Sequence, residues 1–326
     1  MTLTERLILG CARLTGGASA REAQALVRAA LDAGITHIDT APSYGMGTAE
    51  MVVGRALRDF GGPVRVTAKL GSPRDPHAGA KSWLRKAKRA LGGGRSNPWQ
   101  QSEPPPTRIT EPCGHDFTRT AMQASLAISR DRLGRIDYLL LHDVSASEVT
   151  SSLLADLTEL AASVSAAPGY ASQAQWDADL DARFPPGTVA QCAAALRYLE
   201  GALAHDNRPL FLHSLIKVAA AQRAHAPGFA ERLDLAARIV GTGDQDADRI
   251  AALYAVVGTA APRARLLIAS SHRRRLEAVL RAIGRVDASG SAVEIASLLV
   301  EAGSTGGFLA PGNPDHQTLR SPITRK

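Results

Sequence analysis

Short apolar runs alternate with amphipathic helical stretches along this chain, and that alternation leaves few folds open to it. Residues 7–14 (LILGCARL), 36–42 (THIDTAP), 64–70 (VRVTAKL) and 136–142 (IDYLLLH) read as strands. Between them, apolar residues recur at helical spacing, as at Ala23, Leu26, Val27, Ala30 and Leu31. Ser19 with Glu22 three positions on predicts a capped start for that helix, which ends at Gly34. Further helices are expected over residues 49–58 and over 118–133, the latter ended by Gly134. Short apolar strands separated by helices argue for a parallel sheet covered by helices.

The second half continues the alternation less cleanly. A helix is expected over 153–165, a poor, short strand at GYAS (169–172), a strand at 188–192 and a helix over 197–206. A strand at 208–215, helical segments over 219–258, a strand at 263–271 and a helix over 272–284 follow. That makes about eight strand–helix units, the count of a (β/α)8 TIM-type barrel. A doubly wound open sheet is the competitor, and it would want G-x-G-x-x-G after the first strand. Residues 10–17 do not supply it. The expected α/β organisation is therefore a single barrel domain over residues 1–288, with a C-terminal helix and tail over 289–326. Residues 72–112 form a long third βα loop, with a basic amphipathic stretch (AKSWLRKAKRALGGG) and then a Pro-rich one. In a barrel this loop leaves the face where active sites lie, so it serves either as a substrate-contacting lid or as a solvated or oligomer-contacting insertion.

Composition narrows the function classes. The net charge of +7 raises a polyanion reading, but no recognition motif accompanies it and aromatics are only 4%, so nucleic acid is not an expected partner. Three scattered cysteines, Cys11, Cys113 and Cys192, form no C-x-x-C pair, which argues against a disulfide framework and a zinc site. The N-terminal stretch lacks a signal-peptide layout, and no apolar run approaches the ~20 residues of a membrane helix. A cytoplasmic protein with no membrane partner is the expectation; the oligomeric state is open.

Chemistry concentrates at strand ends. Asp39 ends the second strand, Tyr44 follows in a Gly-rich turn, Lys69 closes the third strand and His142 the fourth. Taken singly, each has an ordinary structural role: a packing tyrosine, a turn aspartate, a snorkelling lysine, a buried histidine. Together at one barrel end they can move a proton onto a carbonyl oxygen. Tyrosine has a reference pKa of ~10, and an ammonium beside it favours phenolate. Lys69 can supply that charge, Asp39 can hold Lys69, and His142 can orient the substrate oxygen.

Residues 34–54 also carry the pattern G-x-x-x-x-D-T-A-x-x-Y-G-x-G-x-x-E-x-x-x-G, through Gly34, Asp39, Thr40, Ala41, Tyr44, Gly45, Gly47, Glu50 and Gly54. This resembles the aldo-keto reductase family, and the turn APSYGMGTAE with LLLHD looks like its bacterial aldose-dehydrogenase-like branch. The resemblance implies NAD(P)(H)-dependent oxidoreduction of an aldehyde, ketone or sugar lactol, with Asp39, Tyr44, Lys69 and His142 as the catalytic tetrad and Tyr44 as general acid/base. It implies a small carbonyl or alcohol substrate. It also implies a cofactor, NADPH with NADH as the variant, bound extended across the strand ends. The carry-over for that cofactor is partial. Gln191 is retained, but the serine–asparagine pair after the fifth strand falls on Ala171 and Ser172. His213 stands where an aromatic stacks on nicotinamide, and Ser214 keeps a phosphate-contacting hydroxyl. The lysine–serine start after the eighth strand becomes Ala269–Ser270, and adenine-gripping positions fall on Ala278 and Val279. Arg275 matches a family arginine, and Arg273 and Arg274 offer charge to a 2′-phosphate. A second reading keeps the tetrad in a barrel that has lost cofactor affinity and serves as a binding or regulatory protein. Only six residues precede Leu7, too few for the hairpin that plugs many family barrels, so the C-terminal helix or a partner subunit is expected to cover the floor.

Overall fold

The computed structural model describes residues 1–14, 19–73, 105–106, 108–109, 114–194, 208–225 and 228–300. Its strands are β1 (Leu7–Gly10), β2 (His37–Asp39), β3 (Arg65–Leu70), β4 (Tyr138–His142), β5 (Ala167–Gln175), β6 (Val189–Ala193), β7 (Leu210–His213) and β8 (Arg265–Ile268). They close in sequence order into a parallel barrel, with Leu7, Ile8 and Leu9 of β1 opposite Leu266, Leu267 and Ile268 of β8. The helices are α1 (Ala20–Asp32), α2 (Ala49–Phe60), α3 (Arg119–Leu133), α4 (Ser151–Ser163), the single turn α5 (Ala178–Asp181), α6 (Leu215–His225), α7 (Phe229–Val240), α8 (Gln245–Ala260), α9 (Arg273–Ser289) and α10 (Ala292–Val300). The helix expected over 197–206 and most of the 72–112 insertion lie outside the described residues. Among the described residues, no helix is long and apolar enough to cross a membrane, and no group of three or more His, Cys, Asp or Glu could hold a metal ion.

Three local expectations are corrected. GYAS belongs to the longest strand, the nine-residue β5. Its small residues have weak strand propensity, but pairing on both sides overrides it, and Gly169 lets β6 close in. A Cβ there would lie 2.4 Å from the Val189 carbonyl oxygen. Beyond Ala171 the β5–β6 register shifts, so that Gln175 pairs with Ala193, and Gln175 also holds the end of the insertion. Its backbone N–H donates to Pro106 O and its side chain to Pro105 O, both at 2.9 Å. Second, Ser19 precedes α1 without capping it: its backbone (φ −102°, ψ 9°) departs from the extended conformation a cap requires. Thr150 and Asp244, both extended, do cap α4 and α8. Third, α10 packs against α7 and α8 in the outer ring rather than under the barrel.

The chain supplies its own floor. Inside the barrel, Ile8, Leu140, Ala171, Val189, Phe211 and Leu267 form a core separate from the one under the helices. Below them His37 stacks on Tyr138 (5.1 Å, 24°), and both rings meet Phe211 edge-on at 5.1 Å. Under β1, the turn Thr4–Arg6 is tied to the far end of the chain. The buried Arg6 guanidinium donates to the carbonyls of Gly258, Ala261 and Ala264, and Asp287 accepts from the backbone N–H groups of Leu3 and Thr4.

Candidate active site

Strand side chains alternate between faces, so each inward core residue has an inward neighbour two positions on. From His37, Thr67, Leu140, Val189 and Phe211, that step reaches Asp39, Lys69, His142, Gln191 and His213. All five line a cavity of about 580 Å³ at the C-terminal end of the strands. Tyr44 joins them from the 3-10 turn Tyr44–Gly47 that follows β2. The turn needs glycine: Gly45 holds φ +58°, and a Cβ on it would lie 1.8 Å from the Leu14 carbonyl oxygen. At the tops of β4 and β7, Asp143 (φ 50°) and Ser214 (φ 60°) take the left-handed conformation that non-glycine residues rarely adopt. Each follows a cavity histidine, and such backbone outliers gather at functional sites.

The polar centre is one connected unit. Lys69 Nζ donates to both Asp39 carboxylate oxygens (2.8 and 2.7 Å) and to Tyr44 Oη (2.9 Å). An ammonium has three donors and no acceptor, so all three are spent and the tyrosine oxygen must accept. The phenol hydrogen is then free to point elsewhere. Burial works against the Lys69 charge, but Asp39 and the Tyr44 oxygen more than offset it and raise its pKa. Tyr44 does not show the net lowering expected from an adjacent ammonium. Burial pushes its phenol up to about 12, with Lys69 pulling the other way. His142 is pushed well below the ordinary imidazole value, first by burial and then by Lys69, His115 and His213, so it is neutral.

The candidate cofactor residues divide. Gln191 hydrogen-bonds the Asp39 carboxylate, while its buried Oε1 has no partner among the described residues. His213 is held at both nitrogens, Nε2 to Ser172 O (2.7 Å) and Nδ1 to Ser214 Oγ (2.9 Å). Burial lowers its pKa to about 4. Ser172, Ser214 and Ser270 line the cavity. The Ser172 hydroxyl accepts from Ala174 N–H (3.1 Å), and that of Ser270 closes the turn before α9 by pairing with both backbone groups of His272. Arg275 lines the cavity but Arg274, one position earlier on the exposed start of α9, does not. Arg273 is engaged by Glu277 at 2.7 Å. Val279 lines the cavity where an adenine-gripping polar residue was lacking.

Sequence reasoning missed Ser72, His115, Arg13 and Lys217. The last three line the cavity, and Ser72 Oγ hydrogen-bonds His142 Nδ1. His115 stacks on His142 (5.4 Å, 12°). Ser72, His115 and Arg13 sit in loops without periodicity, so no pattern marks them. The one available signal was Ser72's place three residues after Lys69.

Comparison with known proteins decides the family. The model described as "Aldo/keto reductase family" matches residues 6–164, the stretch holding all four tetrad positions. Residues 6–164 belong to the aldo-keto reductase family. It is 35% identical over 143 residues to a D-threo-aldose 1-dehydrogenase from a Pseudomonas species, covering 40% of this chain. The chain's matches span only 14% and 37% of the length of the curated relatives. A solved glycerol dehydrogenase from Gluconobacter oxydans is similar in fold, with TM-score 0.63 and 18% identity over 97% of this chain and 95% of that one. An aldo/keto reductase from Klebsiella pneumoniae, solved with NADP and acetate, superposes with TM-score 0.56 and 18% identity over 94% and 93% of the two chains. At such identity these likenesses are of fold alone. Two residues of the aldo-keto reductase pattern here are architectural. Glu50 accepts from Ser129 (2.7 Å) and Arg132 (3.2 Å) of α3, and Gly54 lets the Arg132 carbonyl press against α2.

Proposed function

We propose that this chain is an NAD(P)(H)-dependent oxidoreductase that interconverts an aldehyde, ketone or sugar lactol with its alcohol, using Tyr44 as general acid/base. The observation that carries the reading is Lys69 Nζ joined at once to Asp39 and to Tyr44 Oη beside the cavity. In the reducing direction Tyr44 gives its hydroxyl proton to the substrate oxygen, and the phenolate left behind is stabilised by Lys69, whose position Asp39 fixes. His142, neutral at physiological pH, donates a hydrogen bond to the same oxygen and orients it. When bound, the nicotinamide supplies or accepts the hydride at carbon. The free Gln191 Oε1 fits its carboxamide N–H, the fixed ring of His213 offers it a stacking face, and Ser172 lies beside that ring. Ser214, Ser270, Lys217 and Arg275 supply hydroxyls and positive charge toward phosphates, with Arg275 at a helix start that itself favours anions. These groups favour NADPH. The aldose dehydrogenase relative supports an aldose or a related small polyol as substrate. Residues 1–288 are the barrel unit for this activity, with 289–326 an extension. The buried free thiols of Cys11 and Cys192 suit a reducing cytoplasm.

One observation favours the second reading, a binding or regulatory barrel: Ala171, Ala269, Ala278 and Val279 offer no polar side chain to a dinucleotide. Separate calorimetric titrations with NADPH and NADH test the two. Saturable binding of either supports the oxidoreductase. Absence of binding by both would sink it and leave the binding barrel.

A further inference from the structure

We infer that Ser72 is a positioning residue that sets the tautomer of His142, leaving Nδ1 bare and the proton on Nε2, where it serves the substrate oxygen. The catalytic consequence rests on the oxidoreductase reading above; the tautomer itself does not. Ser72 is 4% exposed, in the loop after β3, and its Oγ hydrogen-bonds His142 Nδ1. A neutral imidazole has one donor and one acceptor nitrogen, whereas a hydroxyl can play either part. The other nitrogen decides between them. His142 Nε2 lies 3.7 Å from Asp143 Oδ2, and an ionised carboxylate only accepts. A proton on Nδ1 would turn the Nε2 lone pair toward that oxygen. A proton on Nε2 faces it favourably, and Ser72 must then donate.

The ring has little freedom to escape this arrangement. His115 stacks on one face at 12°, and Tyr44 meets the ring at 82° with centroids 5.5 Å apart. His142 and Tyr44 line the same cavity, so a substrate oxygen held there would receive Nε2–H and the phenol hydrogen as two donors. With the other tautomer, a lone pair would oppose that oxygen. Second-sphere hydrogen bonds commonly fix imidazole tautomers in this way.

The test uses the full-length protein with ¹⁵N-labelled histidine. In the wild type, His142 should show an acceptor-type Nδ1 and a protonated Nε2. Ser72→Ala should shift both signals toward a mixture of tautomers and lower kcat roughly 3–10-fold, the loss matching one neutral hydrogen bond. Dinucleotide affinity should not change, which also reports an intact fold. Ser72→Thr should restore the spectrum and kcat. A protonated Nδ1 in the wild type, or an unaltered His142 spectrum in Ser72→Ala, would overturn the inference. Wild-type protein that binds no dinucleotide while His142 shows the expected tautomer would sink the oxidoreductase reading and with it the catalytic half of the inference, leaving the positioning half supported.

Discussion

Tyr44 and Lys69 share one hydrogen bond, so their replacements should fail differently. Tyr44→Phe removes the proton donor, and turnover should fall ~10²–10⁴-fold, the usual contribution of a positioned acid. Dinucleotide affinity should hold; near-normal turnover would remove Tyr44 from the role. Lys69→Met acts through the neighbours. The ammonium pulls the Tyr44 pKa down against burial, so its loss should move the alkaline limb of any residual pH–rate profile upward. It also strands a buried carboxylate, a change that costs about 3–5 kcal/mol. Pairing it with Asp39→Asn should recover stability but not turnover, which urea melts and assays of the single and double variants would separate. At this scale the site was half legible. The tetrad stands out because Asp39 and His142 end their strands and Lys69 stands one residue before the end of its own. Ser72 and His115 do not, because the loops that bring them to His142 follow no period.

Helices and turns set where charge and space are available. At the start of α9, Arg273 is engaged by Glu277, Arg274 is exposed and does not line the cavity, and Arg275 lines it. Arg275→Ala should therefore weaken NADPH more than NADH by roughly ten-fold or more, the worth of one charge-assisted hydrogen bond, while Arg274→Ala leaves the ratio alone. Equal losses for both dinucleotides would move Arg275 to the shared pyrophosphate or the fold. Where α2 crosses α3, a Cβ on Gly54 would lie 1.8 Å from the Arg132 carbonyl oxygen. Gly54→Ala should cost roughly 3 kcal/mol or more, beyond ordinary overpacking. In α9, Gly284 has nothing within 4 Å of such a Cβ, and Gly284→Ala should stabilise by about 0.4–1 kcal/mol. Denaturant midpoints of the two variants should move in opposite directions. The same contrast shows what sequence can reveal about elements. The strand–helix alternation made the barrel readable, whereas β5 depends on neighbours that close around Gly169, and Ser19 has a cap's chemistry without its backbone.

The whole molecule keeps several histidines neutral in places that penalise charge. His37 in the floor is pushed well below 6.5, first by burial and then by Arg265 and Arg65, and His142 is lowered similarly. His213 falls to about 4. Below pH 6.5 the unfolded chain binds protons at these positions and the folded chain does not, so stability must fall with falling pH. The slope is about 1.4 kcal/mol per pH unit for each such histidine, down to its folded pKa. Melting temperature should drop steadily from pH 7 toward pH 5, and a flat profile would show that these rings protonate without penalty. The ring closure between β1 and β8 carries a different consequence, for the order of events during translation. β1 is made before every other strand of the barrel, yet one of its two hydrogen-bonding neighbours is β8, and the carbonyls that seat Arg6 belong to residues 258, 261 and 264. Until those residues are made, β1 has an open edge and Arg6 lacks its acceptors. An unpaired strand edge is a template for the wrong partner, so a nascent chain that stalls before β8 is the form of this protein most in need of a chaperone.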